Sequence, residues 1–426
     1  NGGLLNVTGA GNALNSTLTG AGENRISALN TTLGGDNTLF TGNWNIISGG
    51  EANVAGGENL GNAAVNLDGT LNIAPASGNY TFTNTLTGSG LMTAALASGS
   101  SFAFDNTVGI AYTGTLRLGQ SLFNLAGDNT AALTNATLQL DNNSETTVGA
   151  GTQTIGNLTI NGGALVFNGE VPPGQPDGAV AVGDLTLNSG EIRTEAPTAG
   201  IPNPAPTGQN LMEEDDRAIL SRLVSASGTV TGTANNLTLT DHDGNVISDP
   251  QQFAITEGGT AVANATYNYA LSTGTSNDGL YIQYGLTTLD LLSAQTLHLT
   301  SDAGATGAAA TLSAQVTGVG NLDVDASAAG GQTVTLNNNS NNYTGTTSVS
   351  GGTLRLGSNQ ALGNTSLLTI NTGANANING MTQTIGALAG DGGLAINGGN
   401  LTISNGGTFG GVTSGALGNL TLTGGT

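Results

Sequence analysis

The chain has no cysteine, which excludes a disulfide framework and thiolate chemistry. That absence fits a polypeptide that stays unfolded while it crosses a cell envelope. Charge is scarce as well. Only 8% of the 426 residues are charged, and Lys plus Arg number six, against about 25% charged residues in an ordinary globular domain. With a net charge of −22 and few cations to hold phosphates, nucleic acid is not expected as a partner. Anionic headgroups and sulfated sugars are disfavoured by the same repulsion, while acidity helps keep a β protein soluble. No run approaches the ~20 apolar residues of a membrane helix, so this chain is not expected to insert into a membrane directly. A basic and apolar leader is lacking too: the chain opens Asn1-Gly2-Gly3-Leu4. Its end, Leu420 to Thr426, stops in mid-pattern, so the sequence reads as a piece of a longer protein.

What is present is glycine, 70 residues of it, and a hydrophobic fraction of 37%. That fraction is too high for a solvated low-complexity tail. The apolar residues alternate with polar ones in short groups: Leu158-Thr159-Ile160, Leu185-Thr186-Leu187, Leu237-Thr238-Leu239, Leu401-Thr402-Ile403 and Leu420-Thr421-Leu422. A period of two means strands with one apolar face. Strands are expected at Thr38–Phe40, Trp44–Ile47, Leu71–Ile73, Tyr80–Thr83, Ser101–Phe104, Thr115–Leu118 and Thr137–Leu140.

Between these strands Gly, Asn or Asp recurs every six to eight residues, too soon for long hairpin ribbons. These residues tolerate the left-handed conformation that sharp corners need. The spacing predicts an all-β fold: a right-handed three-sided parallel β-helix, or solenoid, with a protruding loop and β-hairpin module and one short helix. Rungs of ~20 residues would number ~20, stacked about 4.8 Å apart into a body ~100 Å long. Leu, Ile and Val would point inward; Thr, Asn and Ser would point outward. Internal repetition agrees. Tyr112-Thr-Gly-Thr-Leu-Arg-Leu-Gly119 returns in expanded form as Tyr343-Thr-Gly-Thr followed by Gly351-Gly-Thr-Leu-Arg-Leu-Gly357, and Thr-Gln-Thr-Ile-Gly occurs at 152–156 and 382–386. Phe40-Thr41-Gly42 is a further aromatic-Thr-Gly step.

Three regions are expected: N-terminal rungs over 1–169, an irregular insertion over 170–290, and C-terminal rungs over 291–426. The insertion is Pro-rich at 171–176 and 197–206, which reads as loops leaving the coil. Residues 211–224 have near-helical apolar spacing, with acids in the first turn and Arg217 and Arg222 later, which predicts a helix. Hairpins are expected around Asp241-His242-Asp243-Gly244 and around Ser272 to Gly279.

Candidate chemistry is thin. A Ser/His/Asp triad would need His242 or His298; neither lies in a Gly-x-Ser-x-Gly elbow. Asp241 and Asp243 resemble the start of a calcium loop, but the later ligands and the bidentate Glu are missing. Glu213, Glu214, Asp215 and Asp216 read as helix-start acids rather than as the opposed carboxylates of a glycosidase. Tyr267, Tyr269, Tyr281 and Tyr284 offer either flat partner contacts or cross-strand packing. No catalytic, cofactor-binding or metal-ligating residue is assigned, no cofactor is expected, and partner-binding residues stay open.

The segment 341–363, Asn-Asn-Tyr-Thr-Gly-Thr-Thr-Ser-Val-Ser-Gly-Gly-Thr-Leu-Arg-Leu-Gly-Ser-Asn-Gln-Ala-Leu-Gly, resembles the autotransporter-associated β-strand repeat. Leu211 through Leu286 resembles the middle part of the enterobacterial diffuse-adherence adhesins. The resemblance implies a passenger displayed on the bacterial cell surface by an outer-membrane barrel, acting in attachment to host cells or extracellular matrix and in biofilm formation. The expected function is therefore adhesion and not enzymatic, with matrix proteins or the host-cell surface as partners. Homotypic aggregation is the alternative, with the charge-poor residues 301–426 as the expected zipper. A carbohydrate-active β-helix enzyme is a third reading.

Overall fold

The computed structural model describes residues 3–105, 111–170, 176–195, 211–214, 219–300, 310–327 and 332–425. The chain is almost entirely β and winds into parallel coils, about 18 turns between its two compact units. The first unit comprises 1–196, 220–247 and 271–282; the second comprises 197–219, 248–270 and 283–426.

In the first unit each coil supplies short strands to stacked parallel sheets. One sheet stacks Leu4–Val7, Glu23–Ile26, Asn43–Ile46, Ala64–Leu67, Leu86–Gly88 and Ala111–Tyr112. The next holds the expected alternating columns. Leu71 stacks on Met92, Met92 on Leu116, Leu116 on Leu138 and Leu138 on Leu158, and all five side chains are fully or almost fully buried. A third column is aromatic. Tyr80 lies next to Phe102, and Phe102 next to Phe123, with stacked rings 6.2 and 6.3 Å apart. Parallel pairing continues through Leu185–Glu195, on which Val230–Gly232 and Leu237–Thr240 stack.

The second unit repeats the plan. Its last three coils are each three strands long: Leu367–Ile370, Asn375–Asn377 and Thr382–Ile385; then Ala387–Gly390, Gly393–Ala395 and Asn400–Ile403; then Gly407–Phe409, Val412–Ser414 and Asn419–Leu422. Here too lies an antiparallel pair, Gln251–Glu257 with Thr260–Ser272, closed by a Gly258-Gly259 turn whose φ values are 58° and 83°. Its tip is fastened to a coil strand: the Glu257 carboxylate accepts the His298 backbone N–H at 3.0 Å and lies 2.5 Å from His298 Nδ1.

Two expectations are corrected. Of the helix expected over 211–224, Leu211–Glu214 is helical, 215–218 lie outside the described residues, and Ile219–Ala226 is a strand whose Val224 to Ala226 pairs with Val180 to Val182. Helical spacing loses to a waiting parallel edge, because β pairing and burial of Leu223 and Val224 override a weak local propensity. A short helix that was not expected covers Asp128–Ala132. Second, Asn and Thr are not confined to the outside. Asn37, Asn59, Asn84, Asn341, Thr347, Thr365 and Gln383 are buried, and most bond to the backbone of the corners. The Asn84 amide, for example, donates to the carbonyls of Gly61 and Ala63, both at 2.8 Å. Buried corner carbonyls need partners, and an amide supplies two donors in a small volume.

Candidate binding surfaces

Outward side chains of successive coils touch one another in ladders. In the first unit Asn53 Nδ2 donates to Asn30 Oδ1 at 2.9 Å, Asn72 Nδ2 to Asn53 Oδ1 at 2.8 Å, and Thr93 Oγ1 to Asn72 Oδ1 at 2.8 Å. Glu51 flanks the column and accepts Asn72 Nδ2 at 2.6 Å. A parallel column runs Glu23, Asn45, Asn66, Thr87 at 3.1 to 3.2 Å. Partners lie 19 to 23 residues apart in sequence, so the ladder exists only because the coils stack in register. Each amide still has unused capacity facing solvent, repeated at about 4.8 Å.

On the separate column that carries Glu145–Val148, the outward contacts are ionic. The Arg193 guanidinium sits between Glu145 at 2.7 Å and Glu191 at 2.8 Å, and Thr240 Oγ1 donates to Glu191 at 2.6 Å. Burial alone would raise the Glu191 carboxyl. The hydrogen bonds from Arg193 and Thr240 and the guanidinium charge outweigh it and hold the carboxyl below its ordinary range. In the second unit the strands Thr382–Ile385, Asn400–Ile403 and Asn419–Leu422 carry no ionisable side chain. Their outward column bonds Asn400 to Thr382 at 3.4 Å and Asn419 to Asn400 at 2.7 Å.

The described residues singled out by sequence are each held by local contacts. His242 Nε2 lies 3.1 Å from the Phe167 carbonyl oxygen, so it ties its turn to a coil. That turn is a hairpin, with an antiparallel bridge from Thr240 to Val246. Asp241 accepts the backbone and side-chain amides of Asn245, both at 2.8 Å, and these bonds lower its carboxyl from the usual range. His298, more than half exposed, pairs with Glu257. Its register neighbour Asp323 accepts hydrogen bonds from Ser348 and Ser350. Of the four helix acids, Asp215 and Asp216 lie outside the described residues.

The tyrosines take the packing role. Tyr267, Tyr269, Tyr281 and Tyr284 are all buried. Tyr267 and Tyr284 stack at 4.9 Å, and Phe253 meets Tyr267 edge-on. The Tyr281 hydroxyl donates to Asp278 at 2.8 Å under the Arg222 guanidinium, 5.3 Å from the ring.

No family model matches the chain, and no solved structure matches it. The chain is similar to an uncharacterized protein of Escherichia coli K12, YuaQ, at 40% identity over 408 residues, covering 93% of this chain and 29% of YuaQ. It is similar to the uncharacterized lipoprotein YdeK of the same organism at 37% identity over 383 residues, 84% of this chain and 28% of YdeK. It thus spans less than a third of the length of either. Over 159 residues, 36% of this chain, it is 35% identical to the adhesin BmaC autotransporter of Brucella suis, of which it covers 4%. A parallel β-solenoid with partial similarity to an autotransporter adhesin fits an autotransporter passenger.

Proposed function

We propose that this chain is the adhesive part of a bacterial cell-surface protein of the autotransporter type, related in manner to the diffuse-adherence adhesins. It would attach cells to host surfaces or extracellular matrix and support biofilm growth. The observation that carries the reading is the unbroken outward ladder from Asn30 through Thr93. A surface of repeated neutral donors and acceptors binds weakly at each rung and gains strength by repetition and by many copies per cell. The partial similarity to BmaC, an adhesin by name, supports it. So do the names of YdeK and BmaC, a lipoprotein and an autotransporter, for display at the cell surface. The net charge of −22 favours matrix proteins with basic patches.

Binding rather than catalysis is supported by how the reactive side chains are spent. His298 Nδ1 is engaged by Glu257, and the Ser348 hydroxyl bonds Asp323 rather than an imidazole. Homotypic aggregation is the second reading. It is favoured by the uncharged column Thr382, Asn400, Asn419, where two acidic molecules can meet without like-charge repulsion.

The test is display of the parent protein on an otherwise non-adherent bacterium, scored separately for binding to immobilised matrix and for clumping. Matrix binding without clumping supports attachment, and clumping without matrix binding supports self-association. Neither behaviour, at verified surface expression, removes both.

A further inference from the structure

We propose that a polar corner groove of the second unit binds a neutral oligosaccharide. The groove has a volume of about 350 Å³ and crosses three successive coils. Asn364, Thr365 and Ser366 form its wall in the first coil, Thr384 to Gly386 in the second, and Ser404 and Asn405 in the third, with Gln360 at the rim.

Its floor is backbone already spent within the fold. The Gly386 N–H donates to the Thr365 carbonyl at 2.9 Å, and the Asn405 N–H to the Gly386 carbonyl at 2.7 Å. Gly386 permits this approach, since a Cβ there would meet the Ser366 carbonyl oxygen at 2.1 Å.

The walls offer both senses of hydrogen bond. Ser366 and Ser404 donate their hydroxyl protons inward, to the carbonyls of Gly345 and Ile385, which leaves oxygen lone pairs as acceptors. The side chains of Gln360, Thr384 and Asn405 are exposed and have no partner among the described residues. Each can donate and accept at once. Sugar hydroxyls, which do the same in vicinal pairs, complement such an array.

Other ligand classes fit poorly. No charged residue lines the groove, so a phosphate, sulfate or carboxylate finds no counter-ion on a chain of net charge −22. The one aliphatic lining residue, Ile385, is buried at 1% exposure, so no pocket receives a lipid chain or a peptide's apolar anchor. With no aromatic platform and an open mouth, binding at one groove is weak, about millimolar. Many displayed copies on a glycan-coated surface would raise it by avidity. Its use in adhesion rests on the function proposed above; the sugar-binding chemistry does not.

Saturation-transfer NMR on the purified chain with neutral hexose and N-acetylhexosamine oligomers, and with a sulfated oligomer for comparison, tests the assignment. Transfer to a neutral oligomer is expected, with little to the sulfated one. The surface double variant Gln360→Ala/Asn405→Ala, shown folded by circular dichroism, should bind about tenfold more weakly, because two side-chain hydrogen bonds to the sugar are lost. Ser77→Ala, at an exposed position of the first unit, should bind as the wild type does. Absence of transfer from every neutral oligomer, or unchanged binding by the double variant, overturns the proposal. Adherence by displaying cells is scored in parallel. Sugar binding without wild-type adherence supports the groove and overturns only the adhesin reading.

Discussion

The ring of Tyr112 folds back over Gly114. A Cβ placed on Gly114 would meet that ring at 2.6 Å and the Gly90 carbonyl oxygen of the preceding coil at 2.0 Å. The Tyr112 hydroxyl lies 2.8 Å from the Thr115 carbonyl oxygen and 2.9 Å from that of Gly90. Phe40 over Gly42 and Phe409 over Gly411 repeat the arrangement. The aromatic-x-Gly step is thus a corner device: the ring fills the interior and the glycine lets two coils touch. Gly114→Ala should destabilise the first unit by about 1–3 kcal/mol or more, from overpacking against backbone that cannot move aside. Gly57→Ala, where nothing lies within 4 Å, should be near neutral. Hydrogen exchange of the flanking strands reads the difference locally, which suits a repeat fold whose coils need not unfold together. Equal protection in the two variants would contradict the corner role.

Inside the second unit a chain of hydroxyls is sealed from water. The Tyr343 hydroxyl lies 2.7 Å from Thr347 Oγ1, which lies 2.9 Å from Thr365 Oγ1, and Thr365 donates to the Gly345 carbonyl at 2.9 Å. Thr347→Val keeps the shape but removes the central link, leaving two buried hydroxyls a partner short. A loss of about 1–3 kcal/mol is expected. Restoring an all-apolar interior with Tyr343→Phe and Thr365→Val beside it should recover part of that loss, which denaturant titration of the three variants would measure.

Burial pushes the phenols of Tyr80, Tyr112 and Tyr343 well above their ordinary value of 10.0, with the charge of Glu58 adding to the effect at Tyr80. Folded molecules therefore keep protons that unfolded ones release near pH 10. The folded state binds more protons above that pH, so stability falls as pH rises past 10 and is unaffected by these groups below it. Phenolate absorbance should rise in one cooperative step that coincides with loss of β circular dichroism. Stepwise ionisation of all seven tyrosines before unfolding would contradict the burial.

Much of the coil was legible because its logic is local. Leu-Thr-Leu triplets state their period within three residues, and Leu185 to Leu187 and Leu401 to Ile403 lie in strands as the alternation requires. The aromatic-Thr-Gly steps at 40, 112 and 343 were likewise visible as repeats. Two features were not. The stretch Ile219 to Ala226 carries helical spacing, and only the distant partner Val180 to Val182 turns it into a strand. Asn59 and Asn84 look like exposed turn residues, yet they line the interior, because the carbonyls they satisfy come from a coil 21 to 24 residues earlier. The groove around Gly386 was invisible for the same reason: its walls are assembled across three coils.

Proteolysis offers a check on the whole ladder. All six basic residues other than histidine are arginine, and the chain has no lysine, so trypsin has six sites. Four of them are paired on both sides: Arg25 between Asn6 and Asn45, Arg117 between Thr93 and Gln139, Arg193 between Val166 and Thr240, and Arg355 between Thr335 and Asn377. Their side chains reach the surface, but a protease must draw several residues of backbone out of a sheet to cut there. That requires local unfolding, whose free energy is high in the middle of a stacked ladder. Native digestion should leave these four bonds intact long after the urea-unfolded chain is cut at each, as mass spectrometry of the fragments would report. Cleavage after Arg117 or Arg355 at the unfolded rate would mean that the coils open freely, and the outward ladders that depend on their register would open with them.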